Sequence, residues 1–297
     1  MSQVAFKTAT VLDRADPAQV VTDPFPYLVV RNALPDDYYQ ALSASFPSLE
    51  GLDPGLAGAN NKRLNLMSSW GPTELASDRA PPIWKQFLAD HTTPEYSRKV
   101  FDLFPMAVVE GAAPGERWIR TEALGEGLAE MLQLKGPVAD TDILARATVA
   151  VNTPVTTPAS VRGPHVDNRW KAYVGLFYVR RPGDDSEGGD LSIFRWKKGA
   201  KPKPWTLQAD PADVEEVTTI KYQPNTLVLL LNTHDSLHGV TVRQATPHVR
   251  QFVVASGWFP GVDESRLLGR RRGVVERLKG LVRPLLGRTS PQQDYQD

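Results

Sequence analysis

The stretch Gly163–Trp170, GPHVDNRW, places His165 and Asp167 two residues apart. In extended backbone, side chains at i and i+2 leave the same face. One imidazole and one carboxylate can then aim at a common point, with Val166 turned aside. The chain has five histidines and no cysteine. No thiolate is available as nucleophile or ligand, so any metal must be held by imidazole and carboxylate. His238, in NTHDSLHGV, opens the strand-like run HGVTVR and is the candidate second imidazole. The 70 residues between Asp167 and His238 leave room for strands that return the chain to the same place. His234 is the rival of His238 and reads as a loop histidine. His91 lies at a predicted helix end, and His248 follows Pro247 in a predicted loop. An H-x-D alone also fits a histidine hydrogen-bonded to a carboxylate in a turn. Two imidazoles and one carboxylate on one face of an ion, by contrast, leave three coordination positions open.

Arg250 bears on that choice. It follows His238 by twelve residues, in the apolar run VRQFVVASGWF. A guanidinium entering a partly buried space needs a planar anion as partner. Arg243 is a rival anchor in more polar surroundings.

With these residues in place, the sequence resembles the Fe(II)/2-oxoglutarate-dependent dioxygenase superfamily, in its prolyl-hydroxylase-like branch. HVD, then SLHGV, then Arg250 resemble the superfamily's H-x-D…H…R signature. GGDLSIFRW and YQPNTLVLLLNTHDSLHGV are similar to two further segments of that branch. The resemblance covers roughly residues 144–260. It implies Fe(II) held by His165, Asp167 and His238, and 2-oxoglutarate as co-substrate with its distal carboxylate on Arg250. O2 is the oxidant, and a substrate C–H is hydroxylated with release of succinate and CO2. Many relatives carry serine two residues after the arginine, where this chain has Phe252. Tyr173, Thr241 and Ser256 are the candidates to supply that hydroxyl. Relatives that halogenate lack the carboxylate ligand, which is present here as Asp167. Arg162, Asn168, Arg169 and Trp170 flank the motif and are the candidate lining for a small-molecule or amino-acid-type substrate. Asn60–Leu66, NNKRLNL, is a candidate lid. Two other readings fit the same residues: another metal enzyme of the same barrel type, such as an isomerase or hydrolase, and a non-catalytic binding module.

The elements that must position these groups fall into three parts. From Leu144 on, LARATVAVN, KAYVGLFYVR, DLSIFRW, EVTTIKY, NTLVLLLN, HGVTVR and VRQFVVASGWF are short β-type runs. RPGDDSEGGD and YQPN are turn signals between them. This pattern predicts a jelly-roll (double-stranded β-helix) core over 144–262. Residues 1–143 read as helix-rich, packed against that core in one mixed α+β dioxygenase domain. A short strand is expected near Tyr27–Val30. Helices are expected in LPDDYYQALSASFP, PPIWKQFLAD, PEYSRKVFDLF and RTEALGEGLAEMLQL, each opening near proline or a capping residue.

The third part is a basic tail. Arg266–Arg288 carries seven arginines, one lysine and one glutamate. Leu267, Val274, Leu278, Leu281 and Leu285 share one helical face. A C-terminal helix over 263–297 is predicted. It either docks on the acidic remainder of the chain or forms a surface for a membrane, a partner or a homo-oligomer. The whole chain has equal acidic and basic counts, 34 each, so no global field favours nucleic acid. No apolar run approaches the ~20 residues of a membrane span. The first twenty residues lack a basic-then-apolar signal pattern, so a cytoplasmic location is expected.

Overall fold

A computed structural model describes residues 9–47, 58–69, 81–104, 143–168, 171–200, 206–233 and 235–258. The expected helix in RTEALGEGLAEMLQL and the expected C-terminal helix lie outside these residues.

In the first part, β1 (Tyr27–Arg31) precedes α1 (Asp36–Ala44), β2 (Arg63–Ser68), α2 (Pro82–Asp90) and α3 (Pro94–Leu103). The helices begin where the sequence signals a start. Asp36 and Asp37 occupy the first turn of α1, where the exposed N–H groups and the helix dipole favour negative charge. Thr93 caps α3, its hydroxyl accepting from the Tyr96 N–H, and Pro94 follows in the first turn. β2 corrects the lid expectation. Its residues pair antiparallel with a strand some 80 positions later, and Asn60 and Asn61 hydrogen-bond the 156–159 loop. Nothing local in NNKRLNL announces a partner so far away in sequence.

The second part supplies β3 (Leu144–Asn152), β4 (Lys171–Tyr178), β5 (Leu191–Trp196), β6 (Val214–Ile220), β7 (Thr226–Leu231), β8 (His238–Val240) and β9 (Arg250–Trp258). They form a six-stranded sheet in the order β1-β7-β4-β9-β3-β2 and a three-stranded sheet in the order β6-β5-β8. The segment at His165 bridges to β8 and extends the smaller sheet. From β3 onward the chain passes back and forth between the sheets, with the consecutive strands β5 and β6 paired within the smaller one, in the jelly-roll order.

Period-2 alternation sorts the apolar residues into two layers. Leu227, Leu229 and Leu231 of β7 face the helices, together with Tyr173 and Phe177 of β4 and Val253 and Ala255 of β9. Val228 and Leu230 face inward with Val174, Tyr178, Phe252 and Val254, against Leu191, Ile193 and Ile220 of the smaller sheet. β7 is buried on both faces, which explains its unbroken apolar run. Each fully buried side chain of this kind contributes about 1.5–3 kcal/mol relative to exposure. The inner layer is the floor on which the polar site stands. Among the described residues, no helix is long and apolar enough to cross a membrane.

Candidate metal centre

His165 and His238 stand opposite each other on the smaller sheet. The backbone N–H of each donates to the carbonyl of the other, at 2.9 and 3.0 Å. Their ring centroids are therefore only 4.3 Å apart. Asp167 reaches between them, with Oδ1 3.7 Å from His165 Nε2 and Oδ2 3.8 Å from His238 Nε2. One ligand atom from each residue lies within 4.8 Å of the others, and all three residues are buried.

Both rings are fixed by the same device. His165 Nδ1 lies 2.8 Å from the Gly163 carbonyl, and His238 Nδ1 lies 2.9 Å from the Ser236 carbonyl. A carbonyl only accepts, so Nδ1 carries the proton and the Nε2 lone pair faces the centre. Burial holds both imidazoles below their ordinary pKa, and for His165 the neighbouring His238 adds to the effect. Burial alone pushes the Asp167 carboxyl up. Lys171, the two histidines and Arg162 outweigh it and hold the group well below the usual carboxylate range. At neutral pH the centre therefore presents two neutral imidazoles and one carboxylate, a donor set for a divalent first-row metal with open positions.

Two cations border the carboxylate. Lys171 Nζ is 3.4 Å and Arg162 Nη1 is 3.6 Å from Asp167 Oδ1. Lys171 is 7% exposed, and its ammonium lies 5.1 Å from the Trp258 ring centroid. Sequence reading passed over Lys171. The available signal was a lysine opening an apolar strand four residues after Asp167.

Arg250 opens β9, buried, on the inward face. Its Nε donates to the Gly189 carbonyl at 2.9 Å, and Nη1 lies 3.3 Å from Asn152 Oδ1. Among the described residues no carboxylate pairs with it. The rings of Tyr178, Tyr222 and Phe252 surround the guanidinium carbon at 5.0, 4.9 and 4.8 Å. Two further polar groups beside it, Tyr178 OH and Asn152 Nδ2, are buried without a hydrogen-bond partner. The loop that seats Arg250 requires glycine. Gly188 has φ +78°, and a Cβ there would lie 1.9 Å from the Val242 carbonyl oxygen. Arg243 is also fully buried, but its guanidinium donates to the Thr153 and His248 carbonyls and so ties two loops together.

None of the three hydroxyls nominated from sequence lies beside Arg250. Tyr173 faces the helices, where its hydroxyl meets Ser97 at 2.8 Å. A bulge between Lys171 and Tyr173 sets that orientation. The Thr241 hydroxyl accepts from the Asp190 N–H at 3.0 Å, just past the end of β8. Ser256 shares the face of Arg250 but is six residues along β9, roughly 20 Å away, where it accepts from Trp258 Nε1. Tyr178 occupies the place expected of them. Its spacing in KAYVGLFY is visible in sequence, but which face of β4 it takes depends on the bulge.

Of the other nominated residues, the Asn168 carbonyl closes the turn before β4, accepting from Lys171 N–H and Asn232 Nδ2. Arg169, Trp170 and His234 lie outside the described residues. His91 is buried in the helical layer, and His248 is at the surface beside Asp185.

No family model matches the chain, and no curated protein matches it. Solved structures do. The chain is similar to a prolyl-4-hydroxylase of Pseudomonas putida, at 14% identity over 79% of this chain and 93% of that one, with a TM-score of 0.42. It is similar to prolyl 4-hydroxylases of Phytophthora capsici, at 13% identity over 87% and 68%, with a TM-score of 0.42. A Burkholderia pseudomallei oxidoreductase of the 2OG-Fe(II) oxygenase family gives 13% identity over 83% and 88%, with a TM-score of 0.38. At this level of likeness, a functional assignment rests on the side chains themselves.

Proposed function

We propose that the chain is an Fe(II)- and 2-oxoglutarate-dependent dioxygenase that hydroxylates a C–H bond of a small-molecule or amino-acid-type substrate. The observation that carries the reading is the buried His165–Asp167–His238 group with both Nε2 lone pairs aimed at one point. A structural zinc site closes every position and usually recruits cysteine, whereas three ligands on one face leave positions for a chelating co-substrate and O2.

Arg250 supports the co-substrate part. Its guanidinium, the Tyr178 hydroxyl and Asn152 Nδ2 converge as buried donors without an anion. Such a cradle fits a carboxylate, since buried charge and buried donors are costly unless paired. Gly189, whose carbonyl orients Arg250, lies four residues before Ile193, the strand partner of His238. One chain segment thus ties the metal ligands to the cradle. When bound, ferrous iron with the 2-oxo acid would supply an O2-derived oxidant while the 2-oxo acid loses CO2 to become succinate. The protein's own part is orientation and exclusion of water. The backbone carbonyls of Gly163 and Ser236 hold the imidazole tautomers. Lys171 and Arg162 keep Asp167 ionised. The inner apolar layer keeps the space beside the site dry.

Anaerobic titration of Fe(II) into the protein with 2-oxoglutarate tests the proposal. A visible metal-to-ligand charge-transfer band is expected, lost in His165→Ala and His238→Ala. Arg250→Ala should weaken 2-oxoglutarate at least about tenfold, the cost of losing a charged hydrogen-bond partner, with Fe(II) affinity retained. A wild-type protein that gives no band and no 2-oxoglutarate affinity would leave the isomerase, hydrolase or binding-module readings in its place.

A further inference from the structure

Arg250 is held by three chain segments, and one further residue touches all of them. Its Nε donates to the Gly189 carbonyl, and its Nη1 meets Asn152 Oδ1 at the end of β3. Its backbone opens β9, just after the segment at His248. Arg243, the rival anchor in the sequence, stands where these segments meet. Its Nη1 donates at 3.2 Å to the carbonyl of Thr153, the residue after Asn152. Its Nη2 donates at 2.6 Å to the carbonyl of His248, two residues before Arg250. Its stem lies over Gly189, where a Cβ would come 3.4 Å from Arg243 Cδ and 3.2 Å from Arg250 Cδ. The two arginine stems therefore share one glycine.

The backbone of Arg243 is fixed separately from its side chain. Its N–H donates to the Ala159 carbonyl at 2.9 Å, and its carbonyl accepts from the Ala159 N–H at 3.2 Å. The next residue, Gln244, donates to the Glu187 carbonyl at 2.9 Å. A Cβ on Gly188 would lie 3.0 Å from Arg243 Cα, so the glycine turn passes directly against it. From this base the guanidinium spans the end of β3 and the entry to β9. Asn152 and Arg250 are the last register pair of those two strands, and the end of a ladder is where it opens most easily. Arg243 bridges the two chains just beyond that pair. It is 1% exposed, so both bonds are shielded from competing water.

Resting on the dioxygenase reading, we infer that Arg243 is a positioning residue for the co-substrate: it holds Arg250 and Asn152 together as one preformed carboxylate cradle. It acts through Arg250 rather than on the anion. Donors already gathered bind an anion more tightly than donors that must be ordered on binding. The planar fork of arginine reaches both carbonyls at once, whereas the ammonium of a lysine is a single point donor.

The test is a double-mutant cycle on the full chain loaded with Mn(II), with 2-oxoglutarate affinity read by calorimetry. Mn(II) affinity and thermal midpoint are measured for each variant. Arg243→Met should weaken 2-oxoglutarate about tenfold in the wild-type background and no more than about twofold in Arg250→Ala, since a residue acting through Arg250 has nothing left to position. Mn(II) affinity should stay within about twofold in every variant. Arg243→Lys keeps the stem and the charge, guards against misfolding of the methionine variant, and should give an intermediate loss in the wild-type background only. Equal losses in the two backgrounds overturn the inference, because a general loosening adds to the loss of Arg250 instead of acting through it. A lysine variant that binds 2-oxoglutarate as the wild type does overturns it as well, as does a loss of Mn(II) affinity that matches the loss of 2-oxoglutarate. If Arg250→Ala weakens 2-oxoglutarate while both Arg243 variants leave it unchanged, the dioxygenase reading stands and this inference alone fails. If the wild-type protein binds no 2-oxoglutarate, the dioxygenase reading fails and the inference falls with it.

Discussion

At the residue scale, backbone carbonyls orient the two candidate imidazole ligands, and two buried donors beside Arg250 have no partner. The histidines spend Nδ1 on carbonyls two residues upstream and keep Nε2 for the centre. Tyr178 and Asn152 keep buried donors idle beside Arg250. The Tyr178 ring packs in the inner layer, so Tyr178→Phe should preserve the fold. The loss of one hydrogen bond, about 1 kcal/mol, should weaken 2-oxoglutarate roughly fivefold. Calorimetry on the Mn(II)-loaded variant reads this directly, and an unchanged affinity would remove the hydroxyl from the cradle. By contrast, Tyr173→Phe should leave co-substrate affinity unaltered, because that hydroxyl bonds Ser97 among the helices. The motif residues His165, Asp167, His238 and Arg250 were legible because their spacing is short or their type is incongruous in an apolar strand. Lys171 and Tyr178 were not. A lysine at a strand start normally faces water, and a tyrosine in an apolar strand normally packs as core.

At the element scale, single residues fasten segments that are distant in sequence. His91, at the end of α2, accepts the Val11 N–H on Nε2 and lies against the Phe87 carbonyl through Nδ1. Burial lowers its pKa from 6.5 to about 4. The unfolded chain therefore takes up this proton before the folded one does. Stability from His91 is complete above about pH 6.5, falls as pH drops toward about 4, and then levels. The full loss is on the order of 3 kcal/mol. Denaturant melts across that range should show the decline, and His91→Gln should remove most of it. An equal pH dependence in the variant would assign the decline to other groups. In the Gly188 turn, Gly188→Ala should destabilise the β4–β5 loop, since its Cβ would overlap the Val242 carbonyl in a left-handed conformation. Weaker 2-oxoglutarate binding should accompany the loss, because the next residue seats Arg250. The same substitution at Gly183, where a Cβ meets nothing within 4 Å, is the control for backbone strain alone.

At the scale of the whole molecule, one apolar layer joins the helices to the larger sheet, and a second joins the two sheets. Trp84 belongs to the first. It is fully buried against Phe46 and Phe87 and donates to the Leu42 carbonyl. Trp84→Ala should cost about 3–5 kcal/mol. Helical and sheet signals should still melt together, because the shared layer couples them. Two separate transitions would show that the helices are an independent layer. Metal affinity below the melt should hold, since the three candidate ligands lie on the smaller sheet and the turn after it.

The sequence by itself determined every described strand but Arg63–Ser68, the placing of three helices, and which residue types could meet at a metal. Those features are local: period-2 alternation, proline and capping residues at helix starts, and a two-residue spacing that keeps His165 and Asp167 on one face. Only the tertiary structure decided that Arg63–Ser68 is a strand, because its partner is some 80 residues away. It also decided that Tyr178 rather than Tyr173 faces Arg250, because one bulge at the start of β4 sets the face of every later side chain in the strand. Last, it placed Lys171 against Asp167 and Trp258 at once, a convergence of three chain segments to which no local spacing points.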